Sequence, residues 1–169
     1  LALHENGVYF EPKAFSVGVR IEHLQSELDR ALYGKFAGHP LLPPAEYNLS
    51  RRADGRACYS FCMCPGGQVV AAASEAGGVV VNGMSMFKRD SGIANSALVV
   101  NVDSRDFGEG ALAGVEFQRR YEQLAYAAAG SSYYAPAQNL DSFLKRSTPS
   151  LECLVQPSYR PGLTACSLD

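Results

Sequence analysis

Three cysteines crowd one short stretch, Cys58, Cys62 and Cys64, and the chain then turns through Pro65, Gly66 and Gly67. Thiols of this kind can act as thiolate nucleophiles, metal ligands or electron donors once a neighbour activates them. On a pleated strand Cys58, Ser60, Cys62 and Cys64 share one parity, and Ala57, Tyr59, Phe61 and Met63 share the other. One face is then small and soft, the other bulky and apolar. Pro65 removes a backbone donor, whereas Gly66 and Gly67 can turn with positive φ and leave their N–H groups unshielded. A flat or anionic ligand could approach that corner closely. Asn82, Met84 and Ser85, with Arg89 and Asn95 beyond them, form a segment richer in orientable polar groups than a plain connection needs, so they are candidates for a substrate side.

Other chemistries fit the spacing less well. Zinc prefers paired cysteines on two segments, and His4, His23 and His39 are not clustered with the thiols, so no metal site is expected. A Cys62–Cys64 disulfide is also disfavoured, because residues two apart on a regular strand lie near the roughly 7 Å Cα limit for bridging. Gly108-Glu109-Gly110-Ala111-Leu112-Ala113 matches the dinucleotide-binding fingerprint G-x-G-x-x-G/A. Five residues, Asp103 to Phe107, separate it from the preceding strand, so it reads as the glycine-rich start of a helix. No G-x-S-x-G is present for a serine nucleophile. His23, at a strand-to-helix junction, reads as a structural cap or hydrogen-bonding residue.

The elements that must position these groups are legible in part. Phe15 to Glu22 alternates as a half-buried strand, with Phe15, Val17, Val19 and Ile21 inward and Ser16, Gly18, Arg20 and Glu22 outward. Val8 to Glu11 reads as a further strand and Glu46 to Ser50 as a weak one. Arg56 to Cys64 and Gln68 to Ser74 read as a hairpin hinged at Pro65-Gly66-Gly67, followed by Val79 to Val81, a polar loop from Asn82 to Asn95, and a strand from Ser96 to Val102. A helix begins near Leu24 and stops at Gly34 or Gly38. A longer one carries Phe117, Tyr121, Leu124, Ala125 and Ala128 on one face and ends at Gly130, and a short one starts near Asn139. Arg51 to Gly55 and Ser131 to Gln138 read as loops, and the tail from Ser158 as loop or edge strand. The expected class is α+β: a mostly antiparallel sheet or partial barrel with about three flanking helices.

A chain of 169 residues with 47% hydrophobic composition suits one domain, residues 1–169. A net charge of −2 and the lack of a basic run argue against nucleic acid as partner, and no apolar run reaches the roughly 18 residues of a membrane span. Five cysteines, an odd number, fit a reducing cytoplasm better than a secreted disulfide framework. The first residues, closing at Asn6-Gly7, read as the end of a helix whose beginning is missing, so the chain is expected to be an excised piece of a longer protein.

Several blocks together carry a resemblance: Phe15 to His23, Leu42-Pro43-Pro44-Ala45-Glu46-Tyr47, Tyr59 to Gly67, Asn82 to Ser85, Asn95 to Val100 and Ser158 to Gly162. In order and content the chain resembles a large bacterial flavoprotein family usually labelled uncharacterised FAD-dependent, or NAD-utilising, dehydrogenase. Cys-Met-Cys-Pro-Gly-Gly is the most specific block, and Leu24 departs from the pattern where Pro is expected. The resemblance implies a middle domain inserted between two FAD-binding segments, one that caps the flavin and contributes the substrate side. It would not catalyse hydride transfer alone. FAD would be held in the parent, with none bound by this chain, and its partners would be the remaining FAD-binding segments and a small-molecule substrate. It further implies that Pro65, Gly66 and Gly67 lie near the flavin and that Cys62 or Cys64 could exchange electrons with it. Two other classes stand beside this reading: a non-redox module that binds a ligand or protein, and a small metal-thiolate domain.

Overall fold

The computed structural model describes residues 2–168. Its elements in chain order are α1 (Ala2–Glu5), β1 (Phe15–Leu24), α2 (Gln25–Tyr33) with a 3-10 turn (Gly34–Phe36), β2 (Ser50–Ala53), β3 (Arg56–Cys64), β4 (Gly67–Ala71), β5 (Val81–Ser85), β6 (Ile93–Val102), α3 (Ser104–Phe107), α4 (Ala113–Ala128), β7 (Ala135–Ala137), α5 (Leu140–Lys145) and β8 (Leu163–Ala165). The class is α+β. Helices α1 and α3 are single turns, so α2, α4 and α5 are the three flanking helices that periodicity and capping predict. Local signals set their ends: α2 stops at Gly34, α4 gives way to a turn at Gly130, and the Asn139 side chain caps α5 by accepting from Ser142 N at 2.8 Å.

The main sheet is antiparallel, in the order β1-β6-β3-β2, and β6 is the longer of its two inner strands. Its β-branched run, flanked on both sides, satisfies both rows of backbone groups. A second, two-stranded sheet pairs β4 with β5, and a third pairs β7 with β8 in parallel. Among the described residues the sheets do not close into a barrel.

Several expectations are corrected. Strands β3 and β4 do not form a hairpin. Pro65 and Gly66 instead pass the chain from one sheet to another, because β3 finds its partners in β2 and β6 while β4 pairs with β5. Asn82 to Ser85, expected as loop, belong to β5: pairing with Gly67–Ala71 outweighs their weak intrinsic strand preference. Arg51 and Arg52 are likewise in a strand, held by Cys58 and Ala57, whereas Val8 to Glu11 form none. Part of the expected loop after Gly130 is β7.

The buried apolar centre, Val69, Val79, Ala135 and Tyr159, lies where β4–β5, α4 and β7–β8 meet, with Ala125, Tyr126 and Leu163 packed against it. A second cluster stacks Phe15 on Phe107 at 5.5 Å and sets Phe117 edge-on to both, tying β1 to α3 and α4. The remaining apolar stripe of α4 is uncovered: Tyr121 and Leu124 are 53% and 52% exposed.

Candidate functional site

At the end of β3 the register slips. Phe61 pairs with Ala97 and Cys64 with Asn95, so Cys62 and Met63 together pass opposite Ser96. This is a β-bulge, and its first residue, Cys62, has φ of +48°. The bulge breaks the expected parity. Cys64 turns inward and is 6% exposed, while Cys62 is exposed to solvent, and Phe61 is 62% exposed. The two sulfurs come to 3.8 Å, and the Cys64 thiol donates to the Cys62 carbonyl at 3.2 Å. Burial pushes the Cys64 thiol up from its ordinary value, helped by its hydrogen bond with Cys62 and opposed by the Arg20 cation.

Arg20 gathers this region. Its Nη1 donates to the Asn95 Oδ1 at 2.6 Å and to the Cys62 carbonyl at 3.1 Å, and its Nη2 donates to Asn82 Oδ1 at 3.4 Å. Among the described residues it has no carboxylate within salt-bridge distance. Strand β5 crosses directly over it at Gly83, where a Cβ would collide with both Nη1 and Asn95 Oδ1. Asn95 is fully buried, and its Nδ2 finds no partner. The expected outer face of β1 is therefore an internal polar layer: Arg20 meets β5 and β6, and Glu22 accepts from the backbone and hydroxyl of Ser158.

The Pro65-Gly66-Gly67 corner is closed by its own chain, contrary to the open donors expected there. All three residues are buried. Gly66 N–H donates to Gln25 Oε1 at 2.9 Å, and the Gln25 amide in turn donates to Ala45 O and Asp29 Oδ1 at 2.9 and 2.8 Å. Gly66 has φ of +53°, and a Cβ there would collide with the Arg89 carbonyl. Ser85 Oγ donates to Pro65 O at 3.0 Å, and Ser91 Oγ to Gly67 O at 2.7 Å. A flavin could reach the Gly66 donor only by displacing Gln25.

The predicted site residues thus separate into groups. Cys62, Cys64, Asn82 and Asn95 converge around Arg20; Pro65, Gly66, Gly67, Ser85 and the backbone of Arg89 build the corner; Met84 points outward, 51% exposed. Sequence reasoning missed Arg20 and Gln25 as organisers. A cation on a strand's polar face, with Asn82 and Asn95 available as neutral acceptors, was the one signal for Arg20. Gln25 carried none.

His23 lies near the end of β1, its ring tilted 30° to that of Tyr47 with the centroids 5.5 Å apart. Its Nε2 is buried without a partner, and burial lowers its pKa against the opposing charge of Glu27. The cap or hydrogen-bonding role read from the sequence is therefore corrected: Leu24 holds the N-cap position of α2 with no side-chain cap bond, and the imidazole is buried against an aromatic ring with no hydrogen bond from its Nε2. No group of three or more His, Cys, Asp and Glu among the described residues is placed to hold a metal. A separate cleft of about 290 Å³ lies between Ala71, Glu75, Gly78, Tyr133 and Tyr159, but no predicted site residue lines it.

Residues 14–169 match the family described as FAD-dependent protein, C-terminal domain-like. The chain belongs to that family. It is also 48% identical over 163 residues, 95% of its length, to a protein of Clostridium beijerinckii (strain ATCC 51743 / NCIMB 8052) described only as an uncharacterized protein. The match takes in 31% of that relative, so the chain spans about a third of the protein it resembles.

Proposed function

We propose that this chain is the flavin-capping, substrate-side unit of an FAD-dependent oxidoreductase and does not catalyse hydride transfer by itself. The observation that carries this reading is uncovered surface. The accessible area is 11277 Å², about 40% above the roughly 8,100 Å² expected of a folded monomer of 18.2 kDa. Exposed apolar side chains contribute to the excess: Tyr121 and Leu124 on α4, Phe61 on β3 and Met84 on β5 are all at least half exposed. Exposed apolar side chains on several elements suit docking against further chain, here the FAD-binding segments of a longer parent.

The residues present do not form a cradle for the dinucleotide. Gly108 to Ala113 is cut off from β6 by α3, whose start is fixed by an Asp103–Asp106 capping box, so no strand runs directly through glycines into a helix. The Gly66 donor is already engaged by Gln25. FAD would accordingly be held by the parent's other segments. Its contribution is positional: the rim of Cys62, Asn82 and Met84 is exposed beside an ordered polar layer and can limit access of water and substrate to a neighbouring flavin. Five cysteines, an odd number, suit a reducing, cytoplasmic setting. No helix among the described residues is long and apolar enough to cross a membrane.

The test is removal of residues 14–169 from the parent. FAD should be retained, while quenching of flavin fluorescence by iodide should rise as the cap is lost. Loss of FAD on deletion, or stoichiometric FAD uptake by the isolated chain, would overturn the division of labour. Unchanged quenching would overturn the cap and favour a non-redox binding module.

A further inference from the structure

We propose that Cys62 and Cys64 form a dithiol–disulfide couple that a small-molecule disulfide oxidises, an assignment that does not depend on the flavin reading. The physical ground is the bulge. On a regular strand two cysteines at i and i+2 sit near the outer limit for bridging, because each residue advances the chain by about 3.3 Å. The left-handed turn at Cys62 and the register slip opposite Ser96 remove that obstacle and bring the sulfurs to 3.8 Å. Bond formation then requires an approach of about 1.8 Å, given an S–S length near 2.0 Å.

The pair is also asymmetric in the way such a couple needs. Cys62 is exposed and meets a solution oxidant first; Cys64 is 6% exposed, lies behind it, and is positioned to resolve an adduct. Arg20 holds the Cys62 carbonyl at 3.1 Å, anchoring the bulge and facing a cation toward the pair. Cys58, exposed on the same strand but four residues away, provides an internal comparison.

With oxidised glutathione as the disulfide, every atom and electron is accounted for. The Cys62 thiolate attacks one glutathione sulfur, the glutathione disulfide breaks, and the departing thiolate takes the proton that Cys62 released. The Cys64 sulfur, giving its proton to solvent, attacks the Cys62 sulfur and expels the second glutathione thiolate, which takes up a proton. The protein loses two electrons and two protons as the Cys62–Cys64 bond forms, and oxidised glutathione becomes two molecules of glutathione.

The experiment uses the intact parent, reduced, freed of reductant and exposed to oxidised glutathione, then quenched in acid, alkylated with N-ethylmaleimide and mapped by peptide mass spectrometry. The peptide spanning Cys62 and Cys64 should be lighter by two hydrogens and lose alkylation at both residues, while Cys58 remains alkylated or carries only glutathione. In C64S the same treatment should trap glutathione on Cys62, and in C62S Cys64 should stay reduced. A wild-type peptide alkylated at both cysteines, or one carrying stable glutathione on Cys62 with Cys64 alkylated, would overturn the proposal. The wild-type result stands whether or not either variant folds.

Discussion

Cys62 and Gly66 lie four residues apart and share nearly the same left-handed backbone, φ of +48° and +53°, yet the two turns are built for opposite ends. At Gly66 the conformation is forced by crowding: the Arg89 carbonyl occupies the space a Cβ would take, and the amide is buried against Gln25. At Cys62 the side chain is exposed and meets the Cys64 sulfur, and the turn is held by Arg20, by the Cys64 thiol on the Cys62 carbonyl and by the slip against β6. A left-handed residue other than glycine costs roughly 1–2 kcal/mol, which glycine at 62 would avoid. The chain therefore carries backbone strain at the position where a thiol is presented, and relieves it where only packing is at stake.

The sharpest break in that comparison is Gly66→Ala. Left-handed strain of about 1–2 kcal/mol adds to an overpacking cost of about 1–3 kcal/mol against the rigid Arg89 backbone. The expected loss is about 3 kcal/mol, read as a lower urea midpoint with an unchanged slope. A loss below about 1 kcal/mol would mean that the corner relaxes freely and does not fix the relation between the two sheets.

Arg20→Met should come next. It leaves the buried Asn95 Oδ1 without its 2.6 Å donor and leaves the Cys62 carbonyl only the weak Cys64 thiol donor, for a loss of about 2 kcal/mol. Because Arg20 has no ion-pair partner among the described residues, the loss should change little between low and high salt. A strongly salt-dependent loss would point to a long-range charge role in place of the hydrogen-bonded layer.

The same contrast shows what the sequence could and could not convey. Elements governed by neighbours were legible: the strand β1 from Phe15, though not which of its faces is covered, the stop of α2 at the first of two candidate glycines, the stripe and Gly130 end of α4, and the Asn139 cap of α5. The α+β class followed from these. Whatever depends on residues far along the chain was not. The pairing of Asn82 to Ser85 needs Gly67–Ala71, the Cys62 bulge needs Asn95 and Arg20, and closure of the Gly66 corner needs Gln25 and Arg89. The objection to a Cys62–Cys64 bridge assumed a regular strand, so one slipped register removes its premise. The candidate residues were found by type; their grouping around Arg20 was not.

Cys62→Gly is the mirror image of the corner substitution and should move stability by less than about 1 kcal/mol, toward greater stability. Relief of about 1–2 kcal/mol of left-handed strain is offset by roughly 0.5–1 kcal/mol of extra chain entropy in the unfolded state. Denaturant midpoints of the two glycine-related variants, measured side by side, test whether crowding distinguishes the turns. A loss above about 2 kcal/mol in C62G would show that the Cys62 side chain is itself part of the packing.

The smallest effect concerns the proton on Cys64. Burial first, and then its contact with Cys62, raise this thiol above its ordinary value in the folded protein. The folded state therefore keeps a proton that the unfolded chain gives up earlier, so the associated stability is fully present below the ordinary thiol range and is lost as pH rises through the raised value. Urea midpoints of the wild type should drift downward on the alkaline side, and C64S should remove that part of the drift while leaving the neutral-pH slope unchanged. An identical alkaline limb in C64S would place the titration elsewhere. It would also mean that the bulge does not hold Cys64 apart from water as its 6% exposure requires.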